Sequence, residues 1–320
     1  MDALSDVLRV SQLTGGVFLH ADFFAPWCVE SHMEPSHCSP YLGPAAHLII
    51  YHYILEGELS LVVKEDDDQT FVIREGEVVL LPRNDAHLMG SDLSLVPALG
   101  SELVQRPIEG GLFNIRHGGN GDTTKMVCGF LGCQSADGNP VLSTLPPVLT
   151  LNAGQSEAGD WIRSTFRFAA EEVAAGRPGS ETILSKLSEL LFVEAVRNYA
   201  DNLAKDQTGW LAGLQDPYVA RVLALFHSQV NRPWTVEDLS REVGLSRSAL
   251  ADRFTRLIGE APMHYLANWR MQLAAERLKN TRDSLAQIAG AVGYDSEAAF
   301  SRAFKKAFGT APGTWRRSHT

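Results

Sequence analysis

"VGLSRSALADRF" (Val243–Phe254) returns about fifty residues later as "VGYDSEAAFSRAF" (Val292–Phe304). Val243, Gly244 and Leu245 align with Val292, Gly293 and Tyr294 at an offset of 49. One extra residue in the second turn moves the offset to 50 for Ser246/Ser296, Leu250/Phe300, Phe254/Phe304, Ile258/Phe308, Gly259/Gly309 and Tyr265/Trp315. Self-similarity whose only insertion falls in a turn marks a duplicated structural unit.

Each copy carries start and stop signals for two helices. Thr235 with Asp238, and Ser284 with Gln287, have the spacing of a capping box. Leu239 and Val243, or Ile288 and Val292, give a first helix its apolar side. Gly244 and Gly293 stand where that helix must stop in left-handed geometry. Ser246 and Ser296 then cap a second helix that buries Leu250, Phe254 and Ile258, or Phe300, Phe304 and Phe308. The chain therefore spells helix, tight turn, helix, at about 236–258 and again at 285–308. Between the copies, "MHYLANWRMQLAAERLKN" (Met263–Asn280) predicts a helix burying Tyr265, Leu266, Trp269, Leu273 and Leu278. A spacer about 25 Å long allows the two second helices to enter successive major grooves.

The outer faces of those second helices suit base edges. Arg247, Ser248, Ala251 and Asp252 in the first, and Ser296, Glu297, Ala298, Ser301 and Arg302 in the second, combine donors, acceptors and small apolar groups. Asp252 puts an acid toward the groove, where it can accept from cytosine. Arg256, Lys305, Lys306, Arg316 and Arg317 suit phosphates, which position a protein without specifying sequence.

Charge agrees with this division. The chain of 320 residues has a net charge of −10, but Pro217–Thr320 holds 15 Lys and Arg against 9 Asp and Glu, a net of +6. The rest holds 13 against 29, a net of −16. Opposite signs in two parts of one chain suggest a basic nucleic-acid module joined to an acidic partner. With 45% hydrophobic and 21% charged residues, packed domains rather than disorder are expected. Asp2 and Asp6 replace the positive start of a secretory signal, no apolar run would span a bilayer, and four cysteines are too few for a disulfide scaffold. The expectation is a cytoplasmic protein without a membrane partner.

The first part is β-rich. "HLIIYHYILEGELSLVV" (His47–Val63) is dense in β-branched and aromatic residues, "EDDDQ" (Glu65–Gln69) breaks it, and "TFVIREGEVVLLP" (Thr70–Pro82) follows around a turn at "REGE". Short strands and Gly/Asp turns predict an antiparallel sandwich or small barrel, ended by the prolines of "NPVLSTLPPVLTL" (Asn139–Leu151). The period then changes. Trp161, Ile162, Phe166, Phe168, Ala169 and Val173, then Ile183, Leu184, Leu187, Leu190, Leu191 and Ala195, lie at helical spacing on either side of "RPGSE". That predicts a helical hairpin whose stripe is covered by the β domain or by a second copy in a homodimer. The expected fold is multidomain α+β. A β-barrel occupies 1–152, the hairpin 153–205, a linker 206–216, and an all-α double helix-turn-helix 217–320.

"DLSREVGLSRSALADRFTRLIGEAPMHYL" (Asp238–Leu266), "RMQLAAERL" (Arg270–Leu278) and "LAQIAGAVGYDSEAAFSRAFKKAFGTAPGTWR" (Leu285–Arg316) resemble the DNA-binding domain of the AraC/XylS regulators. The resemblance covers the last hundred residues without long insertions. It implies a sequence-specific transcription regulator that binds double-stranded promoter DNA, usually an activator that contacts RNA polymerase.

"GEVVLLPRNDAH" (Gly76–His87) resembles the second cupin motif, with Asn84 in place of its middle glycine, and "HYILEGELSL" (His52–Leu61) resembles part of the first. Metal-dependent cupin enzymes carry a Glu seven positions before the glycine that is Gly57 here; this chain has Ile50. No catalytic residue is therefore assigned, and a DNA-tethered cupin enzyme is the less favoured alternative. The domain instead resembles a cupin sensor, which implies a small-molecule effector; Trp27, His52, Tyr53 and His87 are the candidate pocket residues. Cys28, His32, His37 and Cys38 form a competing thiol-redox or zinc site, to which "CGFLGC" adds the further thiols Cys128 and Cys133.

Overall fold

The computed structural model describes residues 2–11, 13–34, 47–64, 66–105, 113–133, 139–152, 161, 164, 166, 168, 179–204 and 206–319. The chain divides into two compact units. One joins Gln12–Ala136 to Leu145–Tyr199; the other joins Met1–Ser11, Asp137–Thr144 and Ala200–Thr320.

The first unit is built from two facing sheets. Strands β1 (Thr14–Phe24), β2 (Cys28–Ser31), β3 (His47–Glu56), β4 (Glu58–Val63), β5 (Asp66–Arg74), β6 (Glu77–Leu81), β7 (His87–Gly90), β8 (Ala98–Leu99), β9 (Phe113–Gly118), β10 (Thr123–Cys133) and β11 (Leu149–Asn152) form it, with short helix α2 (Gly100–Leu103). One sheet has the order β11-β6-β3-β10-β1-β9 and the other β5-β4-β7-β2-β8. Pairing is antiparallel except for β1 with β9 and β2 with β8. Two glycine turns carry the chain between sheets. Gly57 (φ +81°) separates β3 from β4, and Gly76 (φ +81°) separates β5 from β6. The turns are tied where Gly76 N–H donates to Ile54 O and Glu75 N–H to Gly57 O, both at 2.9 Å.

Strand β3 lacks a clean alternation because both of its faces are covered. Ile50 and Ile54 enter the inter-sheet core with Leu59, Leu61, Val63, Ile73, Met89 and Met126. Tyr51 and Tyr53 take the other face, with the Phe166 ring 6.3 and 5.1 Å away, and Tyr51 OH lies 3.0 Å from Ser188 Oγ of helix α3 (Ser180–Asp201). A strand buried on both sides is apolar throughout. The acidic run expected to break the strands is instead taken into β5, of which Asp66–Gln69 is the first part. The first helix of the predicted hairpin lies mostly outside the described residues. On α3, Leu184, Leu187, Leu191 and Ala195 are buried, whereas Ile183 (39%) and Leu190 (48%) stay exposed.

The second unit is helical: α1 (Ala3–Ser11), α4 (Trp210–Gln215), α5 (Pro217–Ser228), α6 (Val236–Val243), α7 (Arg247–Ile258), α8 (Pro262–Asn280), α9 (Leu285–Ala291), α10 (Glu297–Phe308) and α11 (Pro312–His319). Its composition departs from the expected division in two places. Residues 206–216, expected as linker, contain α4, whose Trp210, Leu211 and Ala212 are buried. The opening residues and 139–144, expected in the barrel, belong here through long-range bonds. His227 Nδ1 lies 3.2 Å from Asp6 Oδ2, and Asn139 Nδ2 donates to Ser11 Oγ at 2.6 Å. Both capping boxes are formed, at Thr235/Asp238 and Ser284/Gln287. Gly244 ends α6 in left-handed geometry (φ +73°). In the second copy Val292 caps α9, and Gly293 (φ +83°), aligned with Gly244, takes the same left-handed geometry one residue later.

Candidate nucleic-acid interface

Helices α7 and α10 present the faces that their sequences predict. Ser246 Oγ accepts from Ala249 N–H and Ser296 Oγ from Ala299 N–H, each at 3.2 Å, so both helices start at a fixed point. Leu250 and Phe254 are fully buried on one side of α7, and Phe300 and Phe304 on one side of α10. Helical spacing then turns Arg247, Ser248, Asp252 and Arg256 outward, with Ala251 half-buried at the edge. On α10, Ser296, Glu297, Ala298, Arg302, Lys305 and Lys306 are exposed and Ser301 is half-buried. Ser296 spends its hydroxyl on the cap.

Arg316 is not placed like the other proposed phosphate ligands. Its Nε donates to Leu278 O at 3.2 Å and its Nη2 to Asp283 O at 2.6 Å. These carbonyls lie in the passage from α8 to α9, where helix-end acceptors need partners. Arg316 therefore serves the approach to the second unit; Arg317, exposed and hydrogen-bonded locally to Thr314 Oγ1 at 3.2 Å, lies on the surface.

The first helix-turn-helix stands on an aromatic core of Phe226, Phe254, Tyr265, Trp269 and Trp210, all at least 96% buried. A polar chain runs through it. Trp210 Nε1–H donates to Tyr265 OH at 2.8 Å, and that hydroxyl lies 2.8 Å from His227 Nε2. Burial pulls the Asp6 carboxyl up, but hydrogen bonds from His227 and Arg9 hold it below its usual range. Arg253, over the Tyr218 ring, pairs with Asp216, whose other oxygen caps α5. Sequence patterns did not single out this network, because its members lie up to 221 positions apart.

In the sheet unit, three of the four candidate pocket residues reach the core. Trp27 stacks on Phe23 (centroids 4.0 Å apart, 12° between planes), and its buried Nε1–H has no hydrogen-bond partner among the described residues. His52 Nε2 meets His87 Nε2 at 3.0 Å, His52 Nδ1 lies 2.9 Å from Cys128 Sγ, and His87 Nδ1 lies 3.0 Å from Asp85 O. Burial depresses both imidazoles, His87 to about 4, and pushes the Cys128 thiol up to about 12. Tyr53 faces the other way, toward Phe166. Cys128, which the sequence offers only as a further thiol beside Cys133, is set opposite His52 by β10.

Of the competing thiol or zinc set, Cys28 is buried, with its thiol pushed up by burial and by Asp92, and His32 is exposed. His37 and Cys38 lie outside the described residues. Among the described residues no three His, Cys, Asp or Glu side chains are grouped to hold a metal, and no helix is long and apolar enough to cross a membrane.

A sheet unit and a duplicated helix-turn-helix on one chain define a transcription regulator that pairs a sensor-type domain with a DNA reader. A family model described as cupin matches residues 2–201, and one described as a helix-turn-helix domain matches residues 239–318. The HTH-type transcriptional regulator AlkR of Acinetobacter baylyi is 30% identical over 333 residues, 99% of each chain. A putative AraC-like transcription regulator of Streptomyces antibioticus is 32% identical over 276 residues, 85% of this chain and 88% of that one. Among solved structures, the DNA-binding domain of AdpA in complex with a target DNA is 29% identical across 32% of this chain and 92% of its own, with a TM-score of 0.31. The chain belongs to the AraC-like transcription regulators, with an N-terminal cupin domain and a C-terminal AraC-type DNA-binding domain.

Proposed function

We propose that this regulator is a cytoplasmic, non-enzymatic activator that binds promoter DNA as a homodimer and answers to a small molecule held by its cupin domain. The observation that carries the DNA-reading part is the pair of capped helices with exposed polar faces. In the proposal Arg247, Ser248, Ala251 and Asp252 meet one set of base edges, and Glu297, Ala298, Ser301 and Arg302 another. Arg256, Lys305, Lys306 and Arg317 neutralise phosphates. The buried indole N–H of Trp27, which has no hydrogen-bond partner among the described residues, lies in the core of the sheet unit and supports an effector that brings a hydrogen-bond acceptor. Ile183 and Leu190, one heptad apart on α3 and exposed, support the dimer. RNA polymerase is the expected partner of an activator of this family.

The test is DNA binding by the full-length chain, titrated over salt, beside Arg302→Ala and Lys305→Ala. A base reader and a phosphate ligand separate in this assay. Loss of Arg302 relaxes base preference by about 1–3 kcal/mol, while loss of Lys305 weakens all sequences alike and lowers the salt slope by about one. Two variants with indistinguishable effects on preference and slope would overturn the assignment.

A further inference from the structure

Helix α8 is shared by both helix-turn-helix units. Its first half gives Tyr265 and Trp269 to the aromatic core around Phe226, Phe254 and His227. Its second half gives Met271, Ala274 and Leu278 to a separate core with Ile288, Val292, Phe300 and Phe304. Arg270 stands where the two faces meet.

Its guanidinium is turned into the protein. Nε donates to Val230 O at 2.9 Å and Nη2 to Arg232 O at 2.8 Å, closing the loop that leads into α6. The same group lies against the turn of the second unit. A Cβ built on Gly293 would stand 2.7 Å from Arg270 Nη2 and 2.9 Å from Asn231 Cα. Gly293 needs glycine for its φ of +83° in any case, and this approach is a second demand on the same position. The 230–232 loop of the first unit, the Arg270 guanidinium and the Gly293 turn of the second are therefore in successive contact.

A single helix running from one unit to another fixes their separation but resists twisting and bending only weakly. A second contact away from the helix axis removes that freedom. Arginine suits the joint because its planar fork can serve two carbonyls while its flat face meets a backbone. We propose that Arg270 is a positioning residue that sets the register between the two helix-turn-helix units, and with it the spacing of the two DNA segments they read. It contacts no base itself. Arg316 closes the loop into α9 in a corresponding way, through Leu278 O and Asp283 O.

The inference rests on the DNA-reading proposal, and the experiment keeps the two apart. Duplexes selected by the wild-type chain from a random-sequence library are footprinted to locate the two contacted segments. One base pair is then inserted between them, which turns one segment by about 35° relative to the other. Wild-type affinity should fall about tenfold or more on insertion, since misplaced base contacts each carry a large penalty. Arg270→Ala, shown to be folded by circular dichroism, should bind the selected duplex less tightly and lose less than about threefold on insertion. Arg270→Lys, which keeps the alkyl stem and one donor, should fall between them, and it replaces the alanine variant if that chain does not fold. A variant that keeps the full wild-type insertion penalty, or a wild-type chain indifferent to the insertion, overturns the proposal. A wild-type chain that selects no duplex overturns the DNA-reading proposal beneath it.

Discussion

His52 presents Nε2 to Nε2 of His87 at 3.0 Å, and the surrounding bonds fix which ring holds the proton between them. The Asp85 carbonyl can only accept, so His87 donates from Nδ1 and, being neutral, accepts at Nε2. His52 therefore donates from Nε2 and accepts at Nδ1, where the protonated Cys128 thiol donates. All three groups are held in their uncharged forms by burial.

This order predicts an acid-sensitive sheet unit. An unfolded chain takes up protons near pH 6.5, whereas folded His87 does so only at about 4. The unfolded state thus binds more protons within that window, so the pair's contribution is complete above the window and drains as pH falls through it. For His87 the loss by pH 4 is roughly 3 kcal/mol. Melting of the wild-type chain against His52→Leu/His87→Leu, from about pH 7 to 4, checks this. The difference in melting temperature between the two should narrow or reverse toward acid; a pH-independent difference contradicts the assignment.

Tyr265→Phe should destabilise the helical unit while leaving α7 intact on the surface. The change leaves Trp210 Nε1–H and His227 Nε2 facing a hydrocarbon ring edge. An unpaired buried polar group costs about 1–3 kcal/mol. Chemical denaturation followed by tryptophan fluorescence reads the loss; an unchanged midpoint would show that the hydroxyl contributes nothing.

Arg316→Ala and Arg317→Ala should differ although the residues are neighbours. Removing Arg316 strips the donors from Leu278 O and Asp283 O and should cost about 1–3 kcal/mol of stability. Removing exposed Arg317 should leave stability within about 0.5 kcal/mol and lower the salt dependence of DNA binding. Equal stabilities for the two variants would remove the structural role given to Arg316.

Leu190→Glu should shift the chain toward monomer in sedimentation velocity, because a carboxylate would be buried without a partner at the proposed dimer contact. The far-ultraviolet spectrum should not change, since Leu190 is 48% exposed in the single chain. A dimer of undiminished affinity places the contact elsewhere.

Much of the DNA-binding domain was legible because its determinants are local. A capping box spans three residues, a helix face repeats within four, and glycine stops a helix by its own backbone freedom. Duplication doubled the evidence, and even the inserted residue fell in the turn where it was expected. Strand β3 was harder, since periodicity shows a face only when the opposite face meets water. Its β-branched and aromatic content marks it as a strand, but the orientations of His52 and Tyr53 come from the sheet.

By itself the sequence determined the doubled helix-turn-helix, the exposed faces of its second helices, the β-rich first part and the opposite charges of the two. Those properties depend on neighbours a few positions apart or on composition. Tertiary structure alone decided that Arg316 turns inward, that Arg270 joins a loop to a distant turn, that α1 packs in the helical unit, and that Cys128 meets His52. Each of these pairs residues far apart in the chain. Their geometry is set by packing and by the need to satisfy buried polar groups, neither of which leaves a periodic mark in the sequence.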